Sequence, residues 1–305
     1  MTASITVKKT DGTLITEEKL IGFRFRKNSY LPYTLLNAQI HADAEDFENS
    51  AEIFFYLGQK LVHHGLIDTL KVTYSGGSRI VSLVSRGFTS LLCQNQIEPG
   101  LKSNITFNQL MDGYYALPYV THEDNSSQTG YIYLSGKSTM WDGVVNLSYK
   151  FCGTYPYIRE TNCVRITPVS EPSVFSYTDV DLLSRGFSMN GRRLVSHFHM
   201  ADMGGEYGQF ELENPDAAAY GIVRHKYSEI DMEFLYDPDE ALEFYDKVAS
   251  REQKVFFCTY SGYNGEDLSD IVSFGSINSE RIEGIEISGS AKGVFTQLSV
   301  YHDKF

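Results

Sequence analysis

A chain of 305 residues can bury a full core and has room for more than one domain. With 42% hydrophobic and 21% charged residues it is an ordinary folded protein. Its formal charge of −13 argues against an extended nucleic-acid footprint, although a local basic patch would survive it. No segment approaches 18 consecutive apolar residues, and the opening MTASITVKKT has no apolar run, so neither a membrane span nor a signal peptide is expected. Cys93, Cys152, Cys163 and Cys258 sit at no metal-site spacing and read as reduced cytosolic thiols, with a Cys152–Cys163 disulfide disfavoured. The 21 Tyr and 19 Phe suit strands and partner surfaces and mark no cofactor site.

From the N-terminus, SITVKK and the run from Leu20 to Arg26 flank Asp11-Gly12, a strong turn signal. Ile21, Phe23 and Phe25 alternate with Arg24 and Arg26, the pattern of a half-buried strand. A turn at Pro32 leads to TLLNAQIHAD. SAEIFFYLGQKLVHHG could be helical, but Gly58 and the aromatic residues before it favour two strands around a Gly-Gln turn. LIDTLKVTYS and SRIVSLVSR then form a hairpin across Gly76-Gly77. Six to eight strands result, enough for a closed or nearly closed barrel.

RGFTSLLCQN reads as one or two helical turns before Pro99-Gly100, and Thr106 is placed to cap a short helix before Gly113. Residues 122–130, HEDNSSQTG, form the best candidate for a mobile loop. YIYLSG is a strand. STMWDGVVNLSYKFCG is a helix carrying Trp141, Val144, Val145, Leu147, Phe151 and Cys152 near one face, capped by Ser138 and ended by Gly153. YPYI and CVRITP form a hairpin around Glu160, Thr161 and Asn162.

Beyond Pro168 a linker leads to RRLVSHFHM, a short strand near Phe210, a helix starting at Asp237-Pro238, and strand-like runs to the end. The chain therefore reads as mainly β with an α+β insert. Its divisions are a first β-body at 1–95, a strand-helix-hairpin insert at 96–170, and a second β-body with an extra helix at 171–305.

No catalytic, cofactor-binding or metal residue is assigned. His197 and His199 share a strand face and can begin a metal site, but the third ligands on offer, Asp202 and Glu206, are generic, and cross-strand packing or an interface role is the favoured reading. His63 and His64 point to opposite faces, and His225 reads as a surface residue. Asp43, Glu45, Asp46, Glu48, Asp231, Glu233, Asp237, Asp239 and Glu240 fit solvated or capping roles better than the held pair that glycan hydrolysis needs. The glycine pairs are turns without the Lys or Ser/Thr of a phosphate loop, and no G-x-S-x-G elbow occurs. Arg24, Arg26 and Lys27 form a basic knot suited to salt-bridged contact with an acidic partner.

Two runs, EIFFYLGQKLVHHGLIDTLKV and RIVSLVSRGFTSLLCQNQIEPG, resemble the first tube-like barrel of the baseplate hub proteins of contractile phage tails, tailocins and phage-like particles. Gly65, Ile67, Asp68 and Leu70 match one strand of that family, and Arg86, Leu91 and Leu92 match the next strand and short helix. Trp141, Gly153 and Val164 through Pro168 match its small α/β unit. The likeness covers 1–170; past that it rests on element order. It implies two tube-like β-barrel domains flanking the insert, in a non-enzymatic homotrimer. That trimer would adapt a sixfold tail tube to a threefold central spike around a channel lined with acidic side chains. Implied partners are the central spike protein and the tail tube or tube-initiator protein, then tape measure and baseplate wedge proteins. No membrane, no cofactor and no sequence-specific nucleic acid is expected. The place implied is the tail baseplate of a virion or phage-like particle, assembled in the host bacterial cytoplasm. With no lysozyme-like, peptidase or β-helical spike segment before Phe305, the hub alone is expected. The competing readings are a carbohydrate-binding or glycan-hydrolysing β-rich tail protein and a generic β-rich bacterial binding protein.

Overall fold

The computed structural model describes residues 1–41, 47–75, 77–230, 232–234, 237–302 and 305. Seven strands come first: β1 (Ala3–Lys9), β2 (Leu14–Glu17), β3 (Leu20–Asn28), β4 (Leu35–His41), β5 (Ser50–Leu57), β6 (Lys60–Ser75) and β7 (Ser78–Gly87). The insert follows, with β8 (Gly100–Ile105), β9 (Thr121–His122), β10 (Gly130–Leu134), helix α1 (Met140–Cys152), β11 (Tyr157–Arg159) and β12 (Cys163–Arg165). Next come β13 (Val174–Tyr177), β14 (Leu182–Met189), β15 (His197–Met200), β16 (Phe210–Glu213), α2 (Pro215–Ala219), β17 (His225–Ser228) and α3 (Pro238–Ser250). The last strands are β18 (Lys254–Ser261), β19 (Ile271–Phe274), β20 (Ile277–Arg281), β21 (Gly284–Ser290) and β22 (Gly293–Tyr301).

The protein is mainly β, with a large curled sheet and a small helical insert. Eleven strands form that sheet, in the order β14-β18-β22-β21-β3-β4-β7-β6-β5-β1-β2. Strands from both ends of the chain meet where β3 pairs antiparallel with β21, Phe25 opposite Ile287 and Arg26 opposite Glu286. One continuous apolar core lies on the inner face and draws on both groups, from Ile5, Phe25 and Phe55 to Cys258, Ile287 and Leu298. The alternation of Phe23 and Phe25 with Arg24 and Arg26 is that of a strand with one wet face, but Ile21, expected on the buried side, is exposed beside the register shift between Leu20 and Gly22.

Several local readings need adjusting. β1 pairs with β2 and β5, while β3 pairs with β4 and β21, so Asp11-Gly12 joins β1 to the short β2 and not to β3. KLVHH and LIDTLKVTYS make one 16-residue strand, whose register shifts between Ile67 and Thr69. Of the Gly76-Gly77 turn, Gly76 lies outside the described residues. Helix α1 is capped by Thr139, not Ser138: Thr139 Oγ1 accepts from the Asp142 amide at 3.2 Å, and Asp142 accepts from the Thr139 amide at 2.8 Å. Ser138 instead donates to Glu233 at 2.8 Å. Gly153 ends the helix in the left-handed region, φ 66°, as expected. Thr106 does cap, accepting from the Gln109 amide at 3.1 Å. The 122–130 loop is tied down at its start, where buried Glu123 accepts from the amides of Ile166 and Thr167 at 2.7 and 2.8 Å.

The residues that carried the family resemblance turn out to be structural partners. Asp68 and Arg86 form a two-toothed ion pair at 2.7 and 2.8 Å across β6 and β7. A Cβ at Gly65 would stand 2.2 Å from the Arg86 carbonyl oxygen, so glycine is required where those backbones approach. Leu92, Trp141, Val164 and Ile166 are buried in the second core, inside the insert.

One buried junction ties the insert to both ends of the chain. Lys27 Nζ, on β3, donates at 2.5 Å both to Asp267 Oδ1 and to the Glu160 carbonyl in the insert hairpin. The Glu160 amide donates to Asp267 Oδ2 at 2.8 Å, and Arg159 pairs with Asp270 at 2.9 Å. Burial pulls the Lys27 amine below its ordinary value, with Asp267 pulling against it.

Two stability outcomes follow from these cores. Trp141→Ala should cost about 3–5 kcal/mol by chemical denaturation, because Trp141 is almost fully buried among apolar side chains. Trp141→Phe should cost much less, since the indole Nε1 is buried without an acceptor and contributes no bond. Lys27→Met should also cost about 3–5 kcal/mol by stranding Asp267, and restoring most of that loss by adding Asp267→Leu would show that the pair itself is responsible.

Candidate assembly interface

His197 and His199 pack across strands on one face, and His225, read as a surface residue, joins them. His199, on β15, shares a hydrogen bond with His225 of the parallel neighbour β17 at 3.0 Å and another with Glu211 of β16 at 2.8 Å. His197 stacks on His225 at 4.3 Å with the rings 8° from parallel, and Tyr227 stacks on His199 at 4.4 Å. His225 is thus exposed but belongs to a stack, a partnership that β15–β17 pairing creates and spacing could not show. Asp202 accepts from the amides of Gly204 and Glu206 at 2.7 and 3.0 Å in a local turn, which uses it up as a ligand. Among the described residues no group of three His, Cys, Asp or Glu side chains could hold a metal ion.

His63 and His64 do face opposite ways. His63 is fully buried, bonded to Thr34 Oγ1 at 2.7 Å and Ser85 Oγ at 2.8 Å. That Thr-His-Ser line is buried within the first body and serves packing. His64 stacks on Phe54 at 4.2 Å and reaches Glu52 at 3.3 Å. The four cysteines are free thiols.

Of the sequence-selected carboxylates, Asp43, Glu45, Asp46 and Asp231 lie outside the described residues. Asp237 caps α3, accepting from the Glu240 amide at 3.0 Å, and Asp239 and Glu240 fill its first turn as the helix dipole favours. The carboxylates that are buried were not singled out by sequence. Glu266 accepts from the hydroxyls of Tyr177 and Tyr260 and from the Asn264 amide. Asp267 and Asp270 are held by Lys27 and Arg159. The space reaching Glu266 and Asp267 is only about 20 Å3, room for a water and not for a sugar ring.

The basic knot is spent inside the chain. Arg24 grips Glu286 at 2.7 and 2.8 Å, and Arg26 reaches the same carboxylate at 2.8 Å. Lys27 is buried on Asp267. The acidic partner expected for this knot is therefore β21 and the Asp267 loop.

What remains open is backbone. Among the described residues the sheet does not close on itself: β14 pairs only with β18 and β2 only with β1. Unpaired N–H and C=O groups along such edges are templates for another chain. On β14, Leu183 and Phe187 are 60% and 61% exposed, and Met189 is also exposed. Phe187 lies beside Phe256 of β18, ring centroids 6.3 Å apart, so the apolar surface runs from the sheet onto the edge. Leu14, on β2, is exposed at the opposite edge.

This architecture has close structural counterparts. The 43 kDa tail protein of prophage MuSo2 from Shewanella oneidensis superposes with a TM-score of 0.74, over 97% of this chain and 98% of that one, at 14% identity. The chain has a phage tail protein fold. A tail protein from Neisseria meningitidis MC58 aligns with a TM-score of 0.71 over 99% and 97% of the two chains, again at 14% identity. The E. coli c3393 protein is a type VI secretion system component with structural similarity to the T4 bacteriophage tail proteins gp27 and gp5. It aligns with a TM-score of 0.51 over 94% of this chain and 74% of its own, at 11% identity. In sequence, the chain matches no protein-family model and no curated protein.

Burial holds His63 neutral, with its pKa lowered to about 3 from 6.5. A depressed value means that only the unfolded chain binds this proton between those pH values, so stability is lost as pH falls from 6.5 toward 3. The expected loss at pH 5 from this group is about 2 kcal/mol. Urea melts of His63→Gln should show a flatter pH dependence over that window; an unchanged slope would place the acid sensitivity elsewhere.

Proposed function

We propose that this chain is the structural baseplate hub of a contractile phage tail or tailocin, acting as a homotrimeric ring. The observation that carries the reading is the pair of unpaired sheet edges, one of them lined with exposed apolar side chains, in a chain with a tail-protein fold. An interface between different edges, β14 of one copy against β2 of the next, is head-to-tail, and such an interface closes when the rotation fits a ring. Ring closure would pair the open backbone and cover Leu183, Phe187 and Met189.

In this reading residues 1–95 and 171–305 are two tube-like lobes and 96–170 is the insert between them. Two lobes in each of three copies make six positions, which suits a sixfold tail tube or tube-initiator protein on one side and a threefold central spike on the other. Tape measure and baseplate wedge proteins are further partners. The work is geometric and non-enzymatic, done in the tail baseplate of a virion or phage-like particle after assembly in the host bacterial cytoplasm.

The resemblance implies an acidic channel lining, and the wet face of the middle strands is of mixed charge. There Arg24 and Arg26 share Glu286, flanked by Asn37, Gln39 and Gln297. An open hollow of about 600 Å3 beside Asn108, Asp112 and Tyr114 is roomy enough for a sugar ring. With one aromatic and one carboxylate it lacks the second acid that hydrolysis requires.

Light scattering across a concentration series should give a mass near three chains, alone or with spike protein present. Phe187→Asp should shift the mass to one chain while leaving the melting temperature of the monomer unchanged, because Phe187 is exposed in the single chain. A strict monomer under both conditions would remove the ring.

A further inference from the structure

A second feature lies on the wet face of the sheet, away from the edges. A cavity of about 330 Å3 forms where β3, β21 and β22 meet the loop after α3 and the Arg193 segment. Three guanidinium groups line it, from Arg26, Arg193 and Arg251, against two carboxylates, Glu252 and Glu286. Glu252 is engaged by Arg193 at 2.8 Å and by the Asn28 amide group at 3.0 Å. Glu286 is shared between Arg26 and Arg24. Lys27, also at its wall, is neutralised by Asp267.

Arg251 is left over. Its side chain makes no hydrogen bond or ion pair among the described residues, and its Nε is buried without an acceptor. It is held between Tyr30 and Tyr155, with its guanidinium carbon 5.3 and 5.6 Å from the two ring centroids. Aromatic faces favour a cation but cannot accept its in-plane N–H bonds. A partly desolvated guanidinium with an orphan donor is costly unless an anion completes it. With Arg24 counted beside the three lining arginines, four positive charges face two negative ones. The surplus of two stands out in a protein of net charge −13.

We propose that this cavity binds a small oxoanion of the dianionic class, a phosphate group or a dicarboxylate, held by Arg251 with Arg26 and Arg193. Planar guanidinium forks match both oxoanions, and two charges match the surplus. The site is independent of the oligomeric reading.

The test is thermal melting of the purified full chain in sodium phosphate, sodium succinate and sodium chloride at matched ionic strength. A saturable rise of a few degrees over chloride is expected for one or both oxoanions. A rise with phosphate alone assigns a phosphoryl ligand, and a rise with succinate alone assigns a carboxylate ligand. The rise should disappear in Arg251→Gln and persist in Arg185→Gln, an exposed arginine outside the cavity. Should Arg251→Gln fail to fold, Arg193→Gln, half exposed and outside both cores, carries the same comparison. No rise over chloride, or a rise that survives these cavity variants, overturns the proposal.

Discussion

The fold depends on a small polar junction between the insert and the sheet. Lys27, Asp267, Glu160, Arg159 and Asp270 come from three distant parts of the chain and satisfy one another where water is largely excluded. Burying an ammonium costs several kcal/mol, which a single carboxylate seldom recovers. Here Lys27 meets a carboxylate and a backbone carbonyl, while the other oxygen of Asp267 takes the Glu160 amide. A junction built this way adds little net stability but tolerates few alternatives. A shifted insert would strand a buried charge, so the pair fixes where the insert docks against the sheet.

The second constraint is the sheet itself. Joining β3 to β21 puts strands from both ends of the chain side by side, and the common inner face buries residues from Ile5 to Leu298 in one core. A barrel closed within each half would have left no edges. Among the described residues the eleven-stranded sheet curls without closing and leaves two edges: β14, eight residues long with Leu183, Phe187 and Met189 exposed, and β2, four residues long with Leu14 exposed. Phe187, opposite Phe256, points to the same inner face as Phe25, and it is exposed because β14 is the last strand of the sheet and lies past the core.

Much of the local structure could be read from the residues. Alternation at Phe23 to Arg26, the Trp141 helix with Gly153 behind it, and the hairpin at Tyr157–Arg165 each rest on contacts a few residues apart. The cap of α1 shows how finely such signals compete. Ser138 and Thr139 can both cap, and Asp142 decides for Thr139 because it stands three residues on. Long-range pairing was not legible. Period-two patterns tell which way a side chain points but not which strand lies beside it. So Arg24 and Arg26 looked like a docking knot although Glu286 answers them within the chain, and His225 looked solitary although β17 places it against His197 and His199. The open edges could not be seen either, being a property of backbone order and not of residue type.

That last point bears on why two tail proteins share this architecture at 14% identity. A catalytic site ties function to particular side chains, and drift there is costly. An assembly edge ties function to strand order and to an apolar, solvent-facing strand, both of which many sequences satisfy. What must be kept is the means of holding the order: a glycine where β6 and β7 backbones touch, an ion pair over the shifted register, a tryptophan inside the insert. In this chain those are Gly65, the Asp68–Arg86 pair and Trp141, the same residues that carry the family resemblance. The resemblance is therefore built from scaffold positions, and the scaffold is what an edge-pairing protein has to preserve.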